Sequence, residues 1–129
     1  MRIFKIKWFV RFARKQSIND ILLREAIGRA ENGSIDADLG SGLIKQRVAR
    51  DGEGRSGGYR TIIAYWASER AFFVYGFAKN EQDNIDAHDL QLLKKAAAAY
   101  LSLTAAELQK LTDEGKMQEV ANNDQDVSN

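Results

Sequence analysis

The chain has 129 residues, 44% of them hydrophobic and 29% charged, which suits one folded domain with a core of its own. It contains no cysteine and a single histidine, His88, so disulfide frameworks, thiolate catalysis and sulfur-ligated or multi-histidine metal sites are excluded. The net charge of +1 conceals segregation: residues 1–80 carry fifteen Lys/Arg against eight Asp/Glu, and residues 81–129 carry four against ten. A basic half of this kind reads as a surface for nucleic acid or another anion, beside the plainer reading of clustered, solvated charge. No segment approaches the ~20 apolar residues of a membrane span. Arg2, Lys5, Lys7 and Arg11 interrupt the opening stretch, where a secretory segment would be apolar. The expectation is a soluble, cytoplasmic protein.

Residues 1–6 alternate as a short strand. Residues 7–16 switch to helical period, with Trp8, Phe9, Phe12 and Ala13 on one face and Lys7, Arg11, Arg14 and Lys15 opposite. Ser17 and Asp20 suggest a capping box opening a second helix, in which Ile18, Leu22, Ala26 and Ala30 repeat up to the stop at Asn32-Gly33. Residues 37–42 form a loop or strand lead-in, and residues 43–50 a strand. The glycine-rich segment 51–58 reads as a turn or hairpin tip, without the spacing of a phosphate-binding loop. Residues 59–67 and 70–79 are β-branched and aromatic, and the short Ser68-Glu69 connection makes them a hairpin. Asp86 opens a helix through Leu103, and Thr104 with Glu107 forms a capping box for a shorter helix towards Gly115. The order β-α-α-β-β-β-α-α predicts an α+β fold: a twisted antiparallel sheet with helices packed on one face. One domain is expected over residues 1–120, followed by a disordered polar tail at 121–129.

Within residues 43–50, alternation puts Lys45 and Arg47 on one face and Ile44 and Val48 on the core face. Gln46 falls on that core side with no evident reason. Arg60 opens the next strand and Lys79 closes the one after, so these cations can converge with Lys45 and Arg47 on one surface. Such a cluster suits a phosphodiester, with Arg as a planar fork for phosphate oxygens and Lys as a point charge or general base. The plainer reading is a sheet face decorated with charge against aggregation. Tyr59, Tyr65, Trp66, Tyr75 and Phe77 supply rings on which unpaired bases can stack, although most such rings belong to a core. His88, in a first helical turn, can shuttle a proton but is equally an ordinary surface residue. Asp83, Asp86 and Asp89 fit a helix start without any metal.

The strand I-K-Q-R-V-A-R at 44–50, the S-G-G-Y-R-T start at 56–61 and the F-F-V-Y-G-F-A-K-N-E segment at 72–81 together resemble the RelE-like toxins of the HigB branch. Phe4-Lys5 through Trp8-Phe9 and the turn at 36–40 fit as well, and the resemblance spans about residues 1–115. It implies a small α+β ribonuclease that cuts messenger RNA at the ribosome, without a cofactor. It also implies a cognate antitoxin of the helix-turn-helix type. The basic pair of the family's second strand matches Lys45 and Arg47, its arginine after Gly-Tyr matches Arg60, and its basic residue after the fourth strand falls at Lys79 or Asn80. On this resemblance Lys45 is the base, Arg47 and Arg60 neutralise the transition state, and Tyr59, Lys79 and Asn80 contact RNA. The chain departs from the family at the acid. Residues 83–88 hold no tyrosine, and His88 is the only comparable group. The competing class is a ParE-like toxin that inhibits DNA gyrase by binding, which needs no cationic cluster.

Overall fold

The strand and helix signals fall into ten elements, and the computed structural model describes residues 1–50, 54–81 and 84–121 of the chain. In chain order they are β1 (Arg2–Ile6), α1 (Lys7–Gln16), α2 (Asp20–Glu31), β2 (Ala37–Gly40), β3 (Leu43–Arg50), β4 (Gly54–Trp66), β5 (Arg70–Ala78), α3 (Ala87–Leu101), α4 (Ala105–Asp113) and β6 (Met117–Glu119). Local chemistry sets most boundaries. Ser17 ends α1 in the left-handed conformation, and the Asn19 side chain accepts from Leu22 N–H to start α2. The cap of α2 is therefore Asn19 rather than Ser17, because Ser17 is spent in turning the corner. Asp86 caps α3, and Thr104 and Glu107 form the reciprocal capping box of α4, as expected.

The α+β class and the antiparallel β3–β4–β5 meander stand. Two features of the predicted architecture are corrected. The six-stranded sheet is mixed, in the order β2-β3-β4-β5-β1-β6, because β1 pairs parallel to β5 and antiparallel to β6. Helices also cover both faces. Helices α1 and α2 pack Phe9, Ala13, Leu23 and Ile27 against Ile44, Val48, Ile63 and Phe73, while α3 and α4 pack Ala97 and Leu108 against Leu43, Ile62, Ala64 and Phe72. The central strands demand this, since β4 is buried continuously from Tyr59 to Ala64 and β5 from Ala71 to Val74. Strands apolar on both sides need cover on both sides.

Two glycines answer to close approach. A Cβ on Gly58 would lie 2.2 Å from the Val48 carbonyl oxygen, beside the register shift of β3 on β4. A Cβ on Gly76 would lie 2.6 Å from the Phe12 ring, so α1 can rest on β5 only over a bare backbone. Of the segment expected to be a hairpin tip, residues 54–58 belong to β4, and residues 51–53 lie outside the described residues. The described residues include Ala121, the first residue of the expected tail. Met117 and Val120 are buried, and Ala121 is tied to α2: its N–H donates to Asp20 at 3.4 Å and its carbonyl accepts from Arg24. The expected tail from residue 122 on lies outside the described residues.

Candidate active site

The meander builds one charged face, and register fixes its rows. Lys45 lies opposite Ile62, which lies opposite Tyr75; Arg47 lies opposite Arg60, which lies opposite Phe77. Both rows are on the face covered further along by α3 and α4, since Leu43, Ile62 and Ala64 belong to that core. The expected convergence of Lys45, Arg47 and Arg60 is therefore present. Two arginines directly opposite on neighbouring strands repel, and such pairs oppose pairing.

The three cations differ in setting. Arg47 is exposed, whereas Arg60 is only 7% exposed. The Arg60 guanidinium donates to the Arg55 carbonyl at 3.2 Å and to the Ser56 carbonyl at 3.0 Å, so it also holds the first turn of β4 in place. Burial first, and the Arg47 cation second, push its pKa below the usual arginine value, while Asp36 pulls the other way. Arg60 shares the surface of Lys45 and Arg47, but the strand lead-in covers it.

The outer edge of β3 extends beyond β2, and two side chains close it. Asp36 accepts from Arg47 N–H at 2.7 Å, and Arg29 from α2 donates to the Arg47 carbonyl. Arg29 also pairs with Asp36 at 3.3 Å and with Glu25 at 2.6 Å. The Arg47 backbone is thereby fixed from both sides while its side chain stays free to meet a ligand. Arg29, Asp36, Arg47, Arg55 and Ser56 together line a hollow of about 390 Å³. Gln46 explains itself here. It is fully buried, donates to the carbonyls of Ala26 (2.9 Å) and Ser34 (3.2 Å), and accepts from Asp36 N–H (2.7 Å). It ties the middle of α2 and the loop that carries Asp36 to β3. Sequence reasoning missed Arg29 and Asp36, because neither belongs to the strand they serve.

The remaining expected site residues divide. Lys79 and Asn80 are exposed in the turn after β5, and Lys79 N–H donates to the Gly58 carbonyl at 3.2 Å, so both stand beside the start of β4. Tyr59 is corrected. It is 4% exposed, lies on the opposite face in the α1–α2 core, packs edge-on to Phe12, and its hydroxyl donates to Gln16. Neighbours along a strand face opposite ways, so Tyr59 and Arg60 cannot share a surface. His88 is exposed in the first turn of α3; Asp89 of that turn and Ile85, just before the helix, line a small hollow with Tyr75. Among the described residues no three His, Asp or Glu side chains gather as metal ligands, and no helix is long and apolar enough to cross a membrane.

A comparison with curated proteins found no match. The family model described as the RelE toxin of the RelE/RelB toxin–antitoxin system matches residues 1–120, nearly the whole chain and every element of the sheet, and the chain belongs to that family.

Proposed function

We propose that this toxin is a metal-independent endoribonuclease that cuts messenger RNA at the ribosome, in the manner of the HigB branch. The observation that carries the reading is the Arg47–Arg60 row, with Lys45 one step along the same face. Like charges held opposite one another oppose folding unless an anion bridges them, and a phosphodiester is such an anion. The reaction uses the RNA's own 2′-hydroxyl. Lys45 removes its proton or stabilises the resulting oxygen, which attacks the adjacent phosphorus. The 5′-oxygen of the next nucleotide leaves with a proton, giving a 2′,3′-cyclic phosphate and a 5′-hydroxyl end. Arg47 meets the extra charge of the pentacovalent transition state, and Arg60 adds to the field from below. Lys79 and Asn80 flank the path of the strand, and His88 is the candidate donor to the leaving oxygen. A cationic face repels a divalent metal, which favours chemistry without one. The partner is an antitoxin of the helix-turn-helix type, and the setting is the cytoplasm.

The test uses message-loaded ribosomes assembled beforehand, with cleavage read by primer extension. Lys45→Ala and Arg47→Ala should each slow cleavage about a hundredfold, the equivalent of about 3 kcal/mol of transition-state stabilisation, with unchanged circular dichroism. Cleavage at fixed Mg²⁺ should not respond to added Mn²⁺ or Zn²⁺. Variants that cut as fast as the parent would refute the assignment. Inhibition of DNA gyrase by a chain that leaves message intact would replace it with the ParE-like reading.

A further inference from the structure

Beyond Phe73, strand β5 loses its β1 neighbour, because β1 turns into α1 after Ile6. Tyr75, Gly76 and Phe77 therefore run along an open edge, and α1 lies beside it. Trp8 stacks on Tyr75 with ring centroids 4.8 Å apart and on Phe12 at 5.3 Å, so three rings form one wall. That wall bounds a cavity of about 370 Å³, with Arg11 and Lys15 of α1 at its rim and Gln16 and Glu81 beside them. Trp8 remains 38% exposed although it is one of the largest apolar side chains. Neither Arg11 nor Lys15 forms an ion pair among the described salt bridges, so the rim is positively charged around an aromatic wall.

Two residues of the cavity lining, Tyr75 and Phe77, belong to the rows of the charged face. Tyr75 ends the Lys45–Ile62 row and Phe77 ends the Arg47–Arg60 row, each two strand spacings, or roughly 10 Å, from the β3 cation. We propose that this cavity is a base-binding subsite: an unpaired nucleobase of the RNA packs against the Trp8–Tyr75 wall while Arg11 and Lys15 hold its phosphate. The chemistry fits both parts of a nucleotide. Rings with π faces accept any base, and cations at the rim accept the backbone. Glu81 supplies an acceptor for an exocyclic amino group, and the Gln16 amide can donate or accept. An acidic peptide would satisfy the cations but gives no use for three stacked rings. The inference rests on the reading that the chain acts on RNA, and it assigns the part of the surface that holds the strand rather than the part that cuts it.

The chain has two tryptophans, Trp8 and Trp66, so Trp66→Phe leaves Trp8 as the only indole reporter. The probe is a short 2′-O-methyl oligoribonucleotide, which has no free 2′-hydroxyl and cannot be cut. Titration into the Trp66→Phe protein should quench Trp8 emission, with the same midpoint as the anisotropy of an end-labelled probe. Trp8→Leu should weaken probe binding roughly tenfold, within the range of one lost base–ring contact, and Trp8→Phe should restore most of it. Probe binding without any change in Trp8 emission overturns the proposal, as does a probe that does not bind. Quenching by an oligoglutamate peptide but not by the probe also overturns it, reassigning the cavity to an acidic protein partner. The nuclease reading has its own readout in ribosomal cleavage, so a chain that cuts but leaves Trp8 unperturbed refutes the subsite alone.

Discussion

Arg47 and Arg60 face one another across β3 and β4, and the Arg47 cation pushes the Arg60 pKa down, so on the proposed reading function and stability conflict at this pair. Arg47→Thr keeps a β-former, leaves the backbone bonds to Asp36 and Arg29 intact and removes the repulsion. We expect it to raise stability by about 0.2–1 kcal/mol in urea unfolding while slowing cleavage about a hundredfold. Tyr65 gives a second residue-scale expectation. Burial first, and then the hydrogen bond its hydroxyl donates to Glu31, push its pKa up to about 12 from the ordinary 10.0. Between these values the folded chain binds a proton that the unfolded chain has lost, so stability is complete below pH 10 and falls as pH rises towards 12. Tyr65→Phe should flatten that alkaline slope in thermal unfolding followed from pH 9 to 12; an unchanged slope would mean other groups set it. At this scale the sequence was legible where alternation was followed and misleading where it was not. Lys45 and Arg47 came out on the right face from period two alone. Tyr59 was placed with RNA although its neighbour Arg60 already claimed that face. Gln46 looked out of place because its partners, Ala26, Ser34 and Asp36, lie on other elements, which no local pattern encodes.

At the scale of elements, the helices were the most legible parts, since caps and periodicity are local. Helix α1 spans Lys7–Gln16 as its pattern predicts, and Thr104 and Glu107 form their box. The sheet was legible only where turns join neighbours. Strand β6 escaped notice because three residues, Met117–Glu119, carry no pattern without the β1 edge they pair with. Helices on both faces were signalled by the continuous apolar runs of β4 and β5, a pattern of two-sided burial rather than of an antiparallel sheet with one wet face. The close approach of β3 and β4 at Gly58 yields a direct test. Gly58→Ala must push a methyl group against the Val48 and Gly54 carbonyls, so the backbone that carries Arg47 and Arg60 has to shift. We expect a loss of about 1–3 kcal/mol in stability, together with reduced cleavage. Full activity with unchanged stability would show that β4 can shift without disturbing the charged face.

For the whole molecule, the β1–β6 pairing ties the residues after α4 to the sheet. Met117 and Val120 bury their side chains, each worth about 1.5–3 kcal/mol, and Ala121 anchors to Asp20 and Arg24 of α2. Ending the chain after Ala121 should leave the thermal midpoint within about a degree of the parent, because residues 122–129 are polar and lack apolar periodicity. Ending it before Met117 should lower the midpoint by many degrees, at about 4–8 °C for each kcal/mol lost in a domain near this size. Equal midpoints for both truncations would show that β6 adds nothing to the sheet.

The sheet order also sets a timetable. Strands β3 and β4, which carry Lys45, Arg47 and Arg60, form a consecutive meander with β5 between Leu43 and Ala78 and pair with one another across short connections. Strand β1, although first in the chain, pairs with Arg70–Phe73 and then with Met117–Glu119, partners made much later. Local contacts form fast and distant ones slowly, because closing a long loop costs entropy before any contact compensates. The cationic meander can therefore assemble while the opening strand still waits for its neighbours, and pulse-labelled hydrogen exchange during refolding should protect β3–β5 amides before those of β1. A chain whose cationic surface forms first would expose that surface to an antitoxin before the opening strand is in place.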